Sequence, residues 1–184
     1  IRFIGVHTGR LGFYTDWREY ELESLVESLK NDDGEYVSYP LLDVTVVYEG
    51  DRAQNNFLAL NESTVQTTGG TLVSDVFINE VHFERFRGDG LCVSTPTGST
   101  GYSKSVGGAV LHPRIEALQL SEIASINNRV YRTLSSPLVI AKDEEIIIRS
   151  SASNELLITR DHITTREPDV KEVHFKIADE SIRF

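Results

Sequence analysis

The chain has 184 residues, enough for one domain with a sizeable core, and its 40% hydrophobic and 25% charged content is that of an ordinary globular protein. Eighteen Lys and Arg against 28 Asp and Glu leave a net charge of −10, which argues against a general nucleic-acid surface or one that binds anionic membranes. A phosphate-bearing ligand remains compatible, because backbone donors and a few local cations can outweigh net charge. The single cysteine, Cys92, has no partner for an internal disulfide and lies in an apolar run. It reads as a small core residue, and a reducing cytoplasm fits. No apolar run approaches membrane-spanning length, and no secretory segment is visible.

Arg2 to His7 reads as a short buried strand leading into the loop Thr8-Gly9-Arg10-Leu11-Gly12. Phe13 and Tyr14 follow as aromatics at a loop tip, and a hydrophobic staple onto the next helix would explain them. Asp16 is a good N-cap with Glu19 in the capping-box position, and Leu22, Leu25, Val26 and Leu29 recur at helical spacing. The pattern predicts a helix from about Asp16 to Lys30, ended by Asn31-Asp32-Asp33-Gly34. From there the character changes. Tyr36–Tyr39, Leu41–Tyr48 and Asn56–Gln66 read as strands, with a turn at Glu49-Gly50-Asp51-Arg52. A domain boundary is expected near Ser38 to Pro40. Leu72–Ile78 and Val81–Arg87 form a predicted hairpin about Asn79-Glu80.

Asn61-Glu62 closes an apolar strand that buries Phe57, Leu58 and Leu60. An amide and a carboxylate there need partners, either a turn that they cap or a ligand. The densest signal runs from Arg85 to Gly108. A strand breaks at Gly88-Asp89-Gly90, Leu91–Val93 is apolar, and a run of hydroxyls and glycines follows from Ser94 to Gly108. Hydroxyls, bare N–H groups and a helix start near Thr97 or Gly98 suit phosphate and ribose. Composition alone would favour a polar loop packed on a strand.

Beyond Pro113, Arg114–Leu120 reads as one or two helical turns. Glu122–Ile126 and Val130–Leu134 read as strands about Asn127-Asn128. Pro137–Ile140, Glu145–Arg149, Glu155–Arg160 and Val170–Ile177 are further alternating strands, with Asp161-His162 as a turn. No His, Cys, Asp and Glu spacing supports a structural zinc site.

The order of the central stretch resembles the NAD kinase family. Asp89-Gly90, then Thr95-Pro96-Thr97-Gly98-Ser99-Thr100-Gly101-Tyr102-Ser103-Lys104-Ser105 and Gly107-Gly108, is similar to that family's ligand-binding signature. Asn61-Glu62-Ser63-Thr64 and Gly9-Arg10-Leu11-Gly12-Phe13-Tyr14 stand where the family places its companion motifs. The resemblance extends from Ile1 to about Ile163. Gly101 stands where most members have Ala, Lys104 where many have an apolar residue, and Asp161-His162 where Asp-Gly is commoner.

That resemblance implies a mainly β chain with some α. Its bulk would be the β-sandwich-like C-terminal lobe of the NAD kinase/diacylglycerol kinase-like fold, joined to the remnant of an α/β N-terminal lobe. The expected division is 1–38 for that remnant, 39–174 for the NAD-binding lobe and 175–184 for a segment returning to the first lobe. Ala178–Phe184 is expected to be poorly ordered without that lobe. Asn61, Glu62, Thr100, Tyr102 and Ser105 would hold the adenosine of NAD, with Phe13, Tyr14, Thr97, Gly101 and His162 lining the pocket. Asp89, Ala124 and Ile126 would act from a neighbouring subunit of a homodimer or homotetramer. The implied reaction moves the γ-phosphoryl group of ATP, or of polyphosphate, to the 2′-hydroxyl of the adenosine ribose of NAD, giving NADP, with Mg²⁺ accompanying ATP. The family's Gly-Gly-Asp-Gly-Thr motif, which carries the catalytic aspartate, is absent from these residues, so no catalytic residue is assigned within them. A related lipid kinase and a non-enzymatic dinucleotide-binding module are the alternatives. No Walker A motif, Rossmann fingerprint or nucleophile elbow is present.

Overall fold

The computed structural model describes residues 2–9, 12, 14–32, 34–151 and 155–184. The chain divides between Tyr39 and Pro40 into a smaller unit, Ile1–Tyr39 with Ser181–Phe184, and a larger one, Pro40–Glu180.

In the smaller unit β1 (Val6–His7) pairs in parallel with β2 (Trp17–Arg18), and α1 (Leu22–Lys30) follows a single 3₁₀ turn at Glu19–Glu21. The predicted strand from Arg2 thus forms a ladder only at its end. The helix also starts later than Asp16 suggests, because Trp17 and Arg18 are taken up by the ladder. The Glu21 carboxylate accepts the Arg18 N–H at 2.9 Å, the back-bond that Glu19 was expected to make to Asp16. Of the predicted apolar stripe only Leu25 is buried; Leu22, Val26 and Leu29 are each about half exposed. Tyr14, at φ 56°, stacks on Phe184 with centroids 4.7 Å apart and tilts against Tyr39 at 4.7 Å. It is therefore part of an aromatic cluster. Phe184 is held there by paired backbone bonds with Val37 at 2.9 and 3.0 Å.

The remaining elements are β3 (Ser38–Tyr48), β4 (Asn55–Ala59), β5 (Glu62–Thr67), β6 (Leu72–Ile78), β7 (Val81–Gly88) and β8 (Gly90–Ser94). The short helix α2 (Tyr102–Ser105) comes next, before β9 (Ala117–Ile123), β10 (Leu138–Ala141), β11 (Ile146–Ser150), β12 (Leu156–Arg160), β13 (Ile163–Glu167) and β14 (Val170–Arg183). Among the described residues they form two six-stranded sheets, ordered β4-β3-β14-β11-β6-β7 and β10-β9-β8-β5-β12-β13. Strand alternation sends Leu42, Val44 and Val46 of β3 and Ile146 and Ile148 of β11 into a core that they share with Val65, Leu91, Val93, Leu118 and Ile158 of the other sheet. This is a β-sandwich, as expected. The Asn79-Glu80 hairpin forms, with both residues at positive φ (48° and 64°), the pattern of a type I′ turn.

Three expectations fail for identifiable reasons. Asn56–Gln66 is not one strand: β4 belongs to one sheet and β5 to the other, and Leu60-Asn61 is the crossover. Residues 117–120 are strand, not helix, because β9 pairs with β8 and β10 on its two sides. Val130–Leu134 does not pair as a strand. Its N–H groups go to side chains instead: Asn128 accepts from Val130 and Tyr131 at 2.8 and 2.9 Å, Asn127 from Thr133 at 2.8 Å, and Glu84 from Leu134 at 2.8 Å. The hairpin strand β13 was not foreseen. Ala178–Arg183, expected to lack order, is the end of the long strand β14.

Candidate functional site

The hydroxyl-rich stretch packs against β8, β9 and the crossover, and it separates into two sets. Thr95, Ser99 and Ser103 are fully buried, and their hydroxyls hold the stretch together. Thr95 donates to the Leu60 carbonyl at 2.6 Å and accepts the Gly98 N–H at 3.1 Å. Ser99 accepts the Leu111 N–H at 2.9 Å, and Ser103 accepts from the Gln119 amide at 2.9 Å. Gln119, fully buried on β9, also accepts the Ala109 N–H at 2.7 Å. The second set, Thr100, Gly101, Tyr102 and Ser105, is exposed, and Thr97 is half-buried. Of these, Ser105 turns its hydroxyl back onto the Tyr102 carbonyl at 2.6 Å.

Gly98 shows how closely the stretch approaches the crossover. A Cβ there would lie 2.0 Å from the Asn61 carbonyl oxygen, so only glycine fits. Asn61 and Glu62 are half-buried at this junction. Glu62 shares its face of β5 with Thr64 and Gln66. One Glu62 carboxylate oxygen, Oε2, is buried with no hydrogen-bond partner among the described residues. A Cβ on Gly101 would sit 3.5 Å from that same oxygen. Burial, and secondarily the charge of Asp161, pushes the Glu62 carboxyl up to about 7. The Tyr102 hydroxyl is pushed up as well, by burial first and then by Cys92, Glu62 and Asp89. The structure thus brings Asn61, Glu62, Gly101 and Tyr102 together around an unpaired carboxylate.

His162 is exposed in the two-residue turn between β12 and β13. Its neighbour Asp161, at φ 51°, reaches back to the crossover and accepts the N–H groups of Leu60 at 3.0 Å and Asn61 at 2.7 Å. Asp89, Ala124 and Ile126 gather at the β7–β8 junction and the end of β9, beside the same loop. The Asp89 N–H donates to Ile123 O at 3.0 Å, and the Ile126 N–H to Arg87 O at 2.8 Å. All three side chains are exposed, and Ala124 lines a cleft of about 290 Å³ with Val106, Gly107 and Glu122. Tyr14 belongs to the smaller unit, and Phe13 lies outside the described residues. The sequence reading passed over Thr95, Gln119 and Asp161 as site-building residues. Thr95 carried a signal as the first residue of the hydroxyl-rich run, and Asp161 as the acidic half of an Asp-His turn, whereas Gln119 carried none.

A two-sheet lobe with a glycine- and hydroxyl-rich loop folded over a strand-end Asn-Glu pair defines a nucleotide-binding domain of the kinase type. A family profile for the ATP-NAD kinase C-terminal domain matches residues 60–184. The NAD kinases of Latilactobacillus sakei and Lacticaseibacillus paracasei are 56% and 57% identical over all 184 residues, and the chain spans 69% of the length of each. NAD kinase 1 of Listeria monocytogenes is 52% identical, with 70% of its length covered. The fold resembles yeast NADH kinase complexed with NADH at TM-score 0.84 and 23% identity, over 97% of this chain and 52% of that one. It also resembles an NAD kinase from Archaeoglobus fulgidus in complex with ATP at TM-score 0.78 and 23% identity, over 100% of this chain and 68% of that one. The chain belongs to the NAD kinase family, a family of phosphotransferases.

Proposed function

We propose that this chain forms the NAD-binding lobe for transfer of the γ-phosphoryl group of ATP to the 2′-hydroxyl of the adenosine ribose of NAD, giving NADP. The observation that carries this reading is the buried, unpartnered Glu62 carboxylate oxygen beside Gly101. A carboxylate is a natural bidentate acceptor for a ribose diol, and leaving one unpaired in a folded protein is costly unless a ligand completes it. Asn61, Glu62, Thr100, Tyr102 and Ser105 hold the adenosine. Thr97, Gly101 and His162 line the pocket.

Asp89, Ala124 and Ile126 are exposed at the β7–β8 junction and the end of β9, which suits their reaching the site of a second copy in a homodimer or homotetramer. Mg²⁺ would arrive with the ATP phosphates and neutralise their charge. The described residues hold no cluster of three or more His, Cys, Asp and Glu able to cage a metal ion. No helix among the described residues is long and apolar enough to cross a membrane. The reading places the reaction in the cytoplasm, where ATP and NAD are found together.

Calorimetric titration with NAD, with NADP and inosine for comparison, tests the proposal. Saturable NAD binding that Glu62→Ala weakens at least tenfold is the expected result. Unchanged affinity in that variant refutes the ribose contact.

A further inference from the structure

Every backbone polar group at the crossover between β4 and β5 is held from outside the segment. The Asp161 carboxylate accepts the N–H of Leu60 on one oxygen at 3.0 Å, and on the other those of Asn61 at 2.7 Å and Glu62 at 3.3 Å. Its own N–H donates to the Glu62 carbonyl at 3.0 Å. From the opposite side Thr95 binds the carbonyls of Leu60 and Asn61, the first through its hydroxyl at 2.6 Å and the second through its N–H at 2.9 Å. An Asp in a two-residue turn ordinarily bonds its own backbone a residue or two away. This one reaches a segment 100 residues distant in sequence, and it adopts φ 51°, a conformation that costs a non-glycine residue free energy.

We propose that Asp161 is a positioning residue of the NAD site, fixing the Leu60–Glu62 peptide units so that the Asn61 amide and the Glu62 carboxylate are presented to the ligand. The inference rests on the NAD-binding reading given above. Charge-assisted bonds to N–H groups are stronger than neutral ones and define direction. A carboxylate that accepts three N–H groups therefore fixes the peptide planes, and with them the two side chains they carry. The same carboxylate adds negative charge beside Glu62 and helps keep its carboxyl near 7. The titratable groups coupled to Glu62 are Asp161 from the β12–β13 turn, Cys92 from β8 and Tyr102 from α2. Because like charge disfavours ionisation, the pair also sets when Glu62 is ionised and free to accept hydrogen bonds from the ribose hydroxyls.

The test uses Asp161→Asn in the whole protein. This variant keeps the size of the side chain but turns one oxygen into an N–H donor facing N–H donors. We expect NAD affinity to fall about tenfold or more, which is roughly 1.4 kcal/mol per tenfold, with KM for ATP unchanged. In an Asn61→Ala/Glu62→Gln background the same substitution is expected to change NAD affinity less than twofold, since the residues through which Asp161 acts are gone. An equal loss in both backgrounds, or unchanged affinity in the single variant, overturns the proposal. Nuclear magnetic resonance of the wild-type protein provides a second measurement that does not depend on the variant folding. The amide protons of Leu60 and Asn61, both held by the Asp161 carboxylate, are expected to exchange slowly with solvent, and if they exchange as free amides do, the proposal fails. Wild-type protein that binds no NAD overturns the functional reading and this inference together. Wild-type binding with an unaffected Asp161→Asn variant overturns this inference alone.

Discussion

Thr95 donates its hydroxyl to the carbonyl of Leu60 at 2.6 Å, tying the glycine- and hydroxyl-rich loop to the crossover between the two sheets. The same oxygen accepts the Gly98 N–H at 3.1 Å, so replacing it leaves a buried donor and a buried acceptor unpaired. Thr95→Val is expected to cost about 1–3 kcal/mol in urea unfolding. Thr100→Val removes an exposed hydroxyl bonded only at 3.5 Å and should change stability by less than about 0.5 kcal/mol. Equal losses in the two variants would contradict the separation into buried and exposed hydroxyls.

Two glycines of this loop should respond oppositely to a methyl group. A Cβ at position 98 meets the Asn61 carbonyl at 2.0 Å, whereas one at position 101 finds its nearest neighbours, Gly98 O and Glu62 Oε2, at 3.4 and 3.5 Å. Gly98→Ala should therefore destabilise by about 3 kcal/mol and weaken NAD binding as the crossover shifts. Gly101→Ala should remain within about 0.5 kcal/mol of wild type. Thermal melts of the two variants side by side decide the matter.

Stability and pH are linked through Glu62. Its carboxyl is raised from 4.5 to about 7 in the folded protein, by burial first and by Asp161 second. Between those two values the folded state binds more protons than the unfolded one, so this group's contribution to stability declines as pH rises through the window. Glu62→Gln cannot ionise and should escape that decline. Its melting temperature relative to wild type should be lowest below the window and highest above pH 7. Wild-type affinity for NAD should rise across the same interval, because only the ionised carboxylate accepts both ribose hydroxyls. A flat difference in melting temperature from pH 4 to 8 would show that Glu62 does not titrate in this range.

Cys92 is fully buried on β8, and burial, with Glu62 adding to it, pushes its thiol up to about 12. It should be inert to thiol reagents at neutral pH in the native state and react only on unfolding. Labelling at increasing urea should then follow the same transition as circular dichroism. Rapid labelling without denaturant would show that the β8 face is open.

Local patterns make much of this protein legible in its sequence. Alternating Val, Leu and Ile residues fixed which faces of β3, β11 and β12 turn inward. Asn79-Glu80 identified its hairpin, and the ordered hydroxyls and glycines from Thr95 to Gly108 identified the loop and the family. These features lie within a few residues of one another, where backbone preference and side-chain period act directly. The tertiary structure decided what depends on strands meeting across the fold. It split the stretch after Asn55 between two sheets, made Ala117–Ile123 a strand because β8 and β10 flank it, and denied α1 the burial its stripe suggested. It also sorted the hydroxyls of a single run into buried Thr95, Ser99 and Ser103 and exposed Thr100 and Ser105. Asp161 makes the distinction plain: its sequence neighbours announce a turn, yet its carboxylate serves Leu60 and Asn61, which only strand order brings within reach.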